Sequence, residues 1–108
     1  MEPTDEDVAK AFVEAIENRD IEGVERVFVF GSAAREEATP ASDIDLFCVL
    51  NDRVDRRKTT EQLRAIAFDL LMEYDTVIDV HTMKEMRFQD RRDHPFTRQV
   101  IDDGVAYA

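Results

Sequence analysis

Apolar and polar residues alternate along this chain with two different periods, and the switches between them mark out its elements. Val8, Ala11, Phe12, Ala15 and Ile16 recur three and four apart, the spacing that lines up side chains on one face of a helix. Residues 5 to 18 are therefore expected to be an amphipathic helix, with Thr4 opening a Thr-x-x-Asp pattern close to a capping box. Arg26-Val-Phe-Val-Phe30 is β-branched and aromatic and stops at Gly31, as a buried strand does. Ser32 to Ala38 reads as a short helix and Thr39 to Ser42 as a loop. From Asp43 to Leu50 the period becomes two: Ile44, Leu46, Cys48 and Leu50 fall on one face, Asp43, Asp45, Phe47 and Val49 on the other. After a polar turn over residues 51 to 57, Leu63, Ile66, Ala67, Leu70, Leu71 and Tyr74 form a helical stripe over 59 to 74. A third strand is expected over 76 to 82, a short helix near 84 to 92, and a last helix from Pro95 to Asp103, capped by Asp93 and stopped by Gly104.

This order implies an α/β or α+β domain: a small mixed sheet of about three strands flanked by helices. The aromatics Phe12, Phe28, Phe30, Phe47 and Phe68 are candidates for its core. With 108 residues the chain suits one domain over 1–108. No apolar run reaches the length of a membrane span, and the acidic start MEPTDEDVAK lacks the pattern of a signal peptide. The single cysteine, Cys48, has no internal partner and fits a reducing cytoplasm.

Charge changes the picture more. Against 25 Asp and Glu stand 14 Lys and Arg, a formal net charge of −11. A protein that grips nucleic-acid backbone carries a basic footprint, so bulk nucleic-acid binding is not expected. An acidic protein that takes an anionic substrate needs a metal ion or a helix N-terminus to hold it.

Residues 31 to 50, GSAAREEATPASDIDLFCVL, contain such an arrangement. The expected strand ends at Gly31, where a ligand can approach the backbone, and the next helix opens at Ser32, with a hydroxyl and free N–H groups. Alone, that is an ordinary capped turn. Asp43 and Asp45, however, point to the same face of one strand, where two carboxylates repel each other unless a cation joins them. Magnesium takes one or two carboxylates together with substrate phosphates. Asp79 sits between Ile78 and Val80 and shares a strand face with Val77 and His81. If that face is also the one bearing Asp43 and Asp45, three carboxylates converge, enough for metal-assisted chemistry. Arg53, Arg56, Arg57 and Lys58 make a basic cluster amid the acid, which caps a helix, balances charge or touches nucleotide or partner.

Gly31-Ser32, ten intervening residues and Asp43-Ile44-Asp45 match the Gly-Ser-x10-Asp-x-Asp signature of the minimal nucleotidyltransferases, in the DNA polymerase β-like nucleotidyltransferase superfamily. Ala34-Arg35, Ala38, Ser42, Leu46 and the closing Arg98 to Tyr107 also resemble that family, and Asp79 lies on the strand where it places a third acid. The resemblance implies the polymerase β-like nucleotidyltransferase fold. It also implies an antitoxin that transfers AMP from ATP to a tyrosine of a HEPN-domain ribonuclease toxin. Carried over by residue, Asp43, Asp45 and Asp79 would be catalytic and hold magnesium, while Gly31, Ser32 and Arg35 would hold the nucleotide. Glu36 departs from the family, which often has glycine there, and it and Glu37 place negative charge where a triphosphate is expected. Two other readings remain open: an antitoxin with little or no activity that blocks its toxin by contact, and a nucleotidyltransferase acting on a small hydroxyl compound. The second is disfavoured by the little chain left to build an acceptor pocket.

Only Lys10, Lys58 and Lys84 are lysines, and a lysine-poor, acid-rich surface resembles that of salt-loving organisms, where dissolved salt screens self-repulsion. A melting temperature that climbs with KCl is the expected outcome for such a surface. Equal melting at low and molar salt would identify an ordinary acidic protein.

Overall fold

A computed structural model describes residues 5–30, 44–103 and 105–106. The elements run α1 (Asp5–Asn18), β1 (Val24–Phe30), β2 (Ile44–Leu50), α2 (Arg56–Tyr74), β3 (Ile78–Lys84), α3 (Glu85–Asp90), α4 (Pro95–Asp103) and β4 (Val105–Ala106). The strands form one mixed sheet in the order β3-β2-β1-β4. β1 pairs antiparallel with β2 and β4, and β2 pairs parallel with β3. The fold is thus mixed α and β: three seven-residue strands flanked by helices, extended by the two-residue β4.

Strand alternation divides the core into two. Ile44, Leu46, Cys48 and Leu50 on one face pack with Val8, Phe12 and Ile16 of α1 and with Leu63, Ile66 and Leu70 of α2. Phe47 and Val49 on the other face pack with Phe88 of α3 and Val100 of α4. Both faces of β2 are therefore covered, and each large side chain so buried contributes about 1.5–3 kcal/mol. The ion pair between Arg19, just after α1, and Asp69 of α2 is exposed and adds little.

Local chemistry sets the boundaries. α2 starts at Arg56 rather than at 59 because the Asp55 side chain accepts the Lys58 N–H at 3.2 Å, an N-cap inside the expected turn. It ends where Asp75 takes the left-handed conformation (φ 54°, ψ 39°) and its N–H returns to the Leu71 carbonyl. Thr76 and Val77 then link helix to sheet, so β3 occupies 78–84 instead of 76–82. Gly23, at φ +87°, turns the chain into β1; a Cβ there would meet Val54 Cγ1 at 2.2 Å, so both conformation and space require glycine.

Two expectations need correcting. The His94 carbonyl, not Asp93, stands at the start of α4: it accepts the Arg98 N–H at 2.8 Å, with Pro95 in the first helical position. Phe68 is 61% exposed rather than core, since it follows Ala67 and points about 100° away from the buried stripe of α2. Phe12 and Phe47 are buried, Phe28 is half-buried, and Phe88 joins them, its ring centroid 5.8 Å from that of Phe47. The expected cap at Thr4, the short helix over 32–38, the loop over 39–42 and the stop at Gly104 lie outside the described residues.

Cys48 is fully buried in β2, and burial pushes its thiol from the ordinary 9.0 up to about 12. A raised acid pKa in the folded state stabilises the fold fully below the unfolded value and is lost as pH climbs toward 12. The folded protein at pH 8 is expected to resist iodoacetamide, with labelling appearing only in denaturant. Rapid labelling without denaturant would show that the centre of β2 opens.

Candidate active site

The parallel pairing of β2 with β3 sets Ile44 beside Ile78, Asp45 beside Asp79 and Phe47 beside His81. In-register neighbours on adjacent strands point to the same face, with strands about 4.8 Å apart. Ile44 and Ile78 therefore enter the core under α1 and α2, while Asp45 and Asp79 stand side by side on the opposite face. Further along that face Phe88 and Val100 cover Phe47 and Val49. The two acids lie before that cover begins, at the N-terminal ends of both strands. The Asp45 side chain keeps 29% of its exposure, and Asp79 is exposed.

His81, two residues after Asp79, presents Nε2 at 3.5 Å from Asp45 Oδ1. The sequence put it on the Asp79 face without a role. The structure adds the contact with Asp45, whose only sequence signal was the two-residue period. The paired carboxylates repel each other, and His81 is the neighbour that meets one of them.

Of the residues singled out in the sequence, Asp45 and Asp79 are brought together. Gly31, Ser32, Arg35, Glu36 and Asp43 lie outside the described residues. The flanks of that segment are described: Phe30 pairs with Asp45, and Ile44 is the neighbour of Ile78 in the sheet. The described residues on either side of that segment, Phe30 and Ile44, thus lie next to the two acids in the sheet. Among the described residues no three of His, Cys, Asp and Glu are grouped to hold a metal ion. Asp45 and Asp79 form a two-carboxylate, hard-oxygen donor pair open to solvent, and such a pair fits a divalent cation that retains water and substrate oxygens.

Beside the acids, the outer edge of β3 and the flank of α2 enclose a hollow of about 430 Å³ lined by Arg64, Phe68, Leu71, Val77, Asp79 and His81. Phe68 and Val77 are exposed there, so an apolar ledge adjoins the carboxylates.

The profile of the family described as "Nucleotidyltransferase domain" matches residues 9–107, so the chain belongs to the nucleotidyltransferase domain family, as a domain of the minimal type. A protein of Methanocaldococcus jannaschii named "Putative protein adenylyltransferase" is 28% identical over 100 residues, which are 93% of this chain and 94% of that one. The fold is shared with a crystal structure titled as a "putative nucleotidyltransferase from Sulfolobus solfataricus", with a TM-score of 0.52 and 21% identity, covering 93% of this chain and 76% of that one. The protein is thus a nucleotidyltransferase, an enzyme whose substrate is a nucleoside triphosphate and whose family works with a divalent metal. No helix among the described residues is long and apolar enough to cross a membrane.

Two like charges facing each other across a strand pair cost stability unless something binds them. Asp79→Asn is expected to leave the unfolding midpoint unchanged or raise stability by roughly a few tenths of a kcal/mol, since the site is exposed and screened. A loss of more than about 2 kcal/mol in urea unfolding would show that Asp79 holds the fold, a size reserved for buried features.

Proposed function

We propose that this chain is the cytoplasmic antitoxin of a toxin–antitoxin pair, transferring AMP from ATP to a tyrosine hydroxyl of a HEPN-domain ribonuclease toxin. The observation that carries the catalytic part is the in-register pairing of Asp45 with Asp79. It supports a shared site of these two acids with Asp43, two residues before Asp45 in the sequence. The protein acceptor is supported by the archaeal relative, whose printed name is that of a protein adenylyltransferase. It is also supported by the apolar ledge beside Asp79.

In this reading Asp43, Asp45 and Asp79 hold magnesium. When bound, it neutralises the triphosphate and polarises the phosphorus–oxygen bonds. Gly31 and Ser32 hold the triphosphate through backbone N–H groups and a hydroxyl, and Arg35 adds a cation. Asp79, the exposed member of the pair, takes the proton of the acceptor hydroxyl. That oxygen bonds to the α-phosphorus while the bond to the bridging oxygen breaks in line, and pyrophosphate leaves. The residues supply position and charge more than covalent chemistry. His81 keeps Asp45 oriented until the cation arrives.

The test is co-purification with the protein encoded next door, followed by intact-mass measurement after adding ATP and magnesium. Gain of one or more AMP groups on the partner is expected, and its loss in an Asp43→Asn, Asp45→Asn double variant that still folds. An equally labelled partner with the double variant would remove the acids from the metal site. A tight complex that never gains mass would identify a binding antitoxin instead.

A further inference from the structure

At the far end of β3, five residues and roughly 16 Å beyond Asp79, a second cavity of about 750 Å³ opens between the start of α2 and α3. Arg56, Lys84, Arg87 and Arg91 line it, against Asp52 and Asp90. In a chain of net charge −11, this hollow gathers a surplus of positive charge. Its walls are held in place by hydrogen bonds. Arg56 Nε donates to the Thr82 carbonyl at 3.4 Å, and Lys84 Nζ to the Asp52 carbonyl at 3.3 Å. The Asp52 carboxylate accepts the Met86 N–H at 3.1 Å. Among the described residues, Arg56 thus keeps its terminal guanidinium nitrogens for a ligand, and Lys84 keeps two of its three donors.

Two local costs point into the same hollow. α2 opens with Arg56, Arg57 and Lys58 and no acid in its first turn, the opposite of what a helix N-terminus favours. Arg87 and Arg91 sit four apart along α3 and its C-cap, where like charges repel. Arg87 in the last turn of α3 and Arg91 at its C-cap suit the helix dipole, but an anion would relieve both their mutual repulsion and the cations at the start of α2.

We propose that this cavity binds a phosphate monoester carried on an apolar or aromatic body, as in a mononucleotide. Four cations against two acids leave two charges over, matching the near-dianion that such a phosphate carries at neutral pH. Three of the cations are arginines, whose planar forks hold phosphate oxygens in pairs. Met83 and the exposed Met86 line the same cavity and offer a soft apolar wall to the body that bears the phosphate. A volume within the range of small-molecule sites suits a ligand of that size. A long polyanion is disfavoured by the overall net charge of −11. The site is separate from Asp45 and Asp79 and stands whether or not AMP transfer to a toxin is correct.

The full chain, in EDTA, is titrated with AMP, O-phosphotyrosine and inorganic phosphate, following backbone amide resonances. Saturable shifts at Arg56 and across Lys84 to Arg91 are expected, with either monoester at least tenfold tighter than inorganic phosphate. AMP binding more tightly than phosphotyrosine assigns the site to free mononucleotides, and the reverse order to phosphorylated side chains; either upholds the monoester site. Arg87→Ala combined with Arg91→Ala should weaken binding at least tenfold, and Asp90→Asn should tighten it severalfold by removing a rim charge. The proposal is overturned if no probe saturates or if shifts gather around Asp45 and Asp79 instead. It fails equally if the arginine variant binds as the parent does, if inorganic phosphate binds as tightly as the monoesters, or if an oligonucleotide outcompetes them all.

Discussion

The parallel pairing of β2 with β3 is the constraint on which the site depends. A slip of one residue would turn Asp79 into the core and bring Ile78 or Val80 to the face of Asp45, because side chains alternate with period two. Burial forbids that slip. Ile44 and Leu46 on β2 and Ile78 on β3 are buried on the side of α1 and α2, and exchanging any of them for a carboxylate would bury an unpaired charge. The apolar residues between the acids thus fix where the acids go.

The crossover that delivers β3 to this register is anchored at both ends. At its start, Thr60 Oγ1 lies 2.9 Å from Thr82 Oγ1 and Arg56 reaches the Thr82 carbonyl, tying the first turn of α2 to the far end of β3. At its finish, the left-handed Asp75 ends the helix, and the Ile44 N–H donates to the Val77 carbonyl at 2.9 Å. A helix fixed in length by its caps and bonded to the sheet at each end leaves β3 one place to lie. The same ties shape both hollows along β3, one beside the acids and one at the opposite, basic end.

The edge position of β3 matters for access. An edge strand usually invites unwanted pairing and is blunted by charge; here Asp79, His81 and Lys84 lie along it. Among the described residues no further strand covers that side, and Asp79 is exposed. Phe68 and Val77 form an apolar ledge beside it.

The sequence by itself determined the types of the three long strands and of the helices among the described residues, and which side chains of β2 share a face, because those follow from local period and from the chemistry of single residues. The helical stripe from Leu63 to Tyr74 and the alternation from Ile44 to Leu50 needed no partner to be read. It also carried the family, since Gly31, Ser32, Asp43 and Asp45 lie close together in the chain. Strand direction was not legible, nor was the adjacency of Asp45 and Asp79, which are separated by a whole helix in sequence; only packing of both sheet faces selects one register from many. The exposure of Phe68 and the burial of Phe88 were hidden for the same reason, since apolarity says that a side chain gains by burial but not whether a neighbour will be there to bury it. The basic cavity is the clearest case: Arg56, Lys84, Arg87 and Arg91 come from different elements, and only the return of β3 alongside the start of α2 makes them one surface.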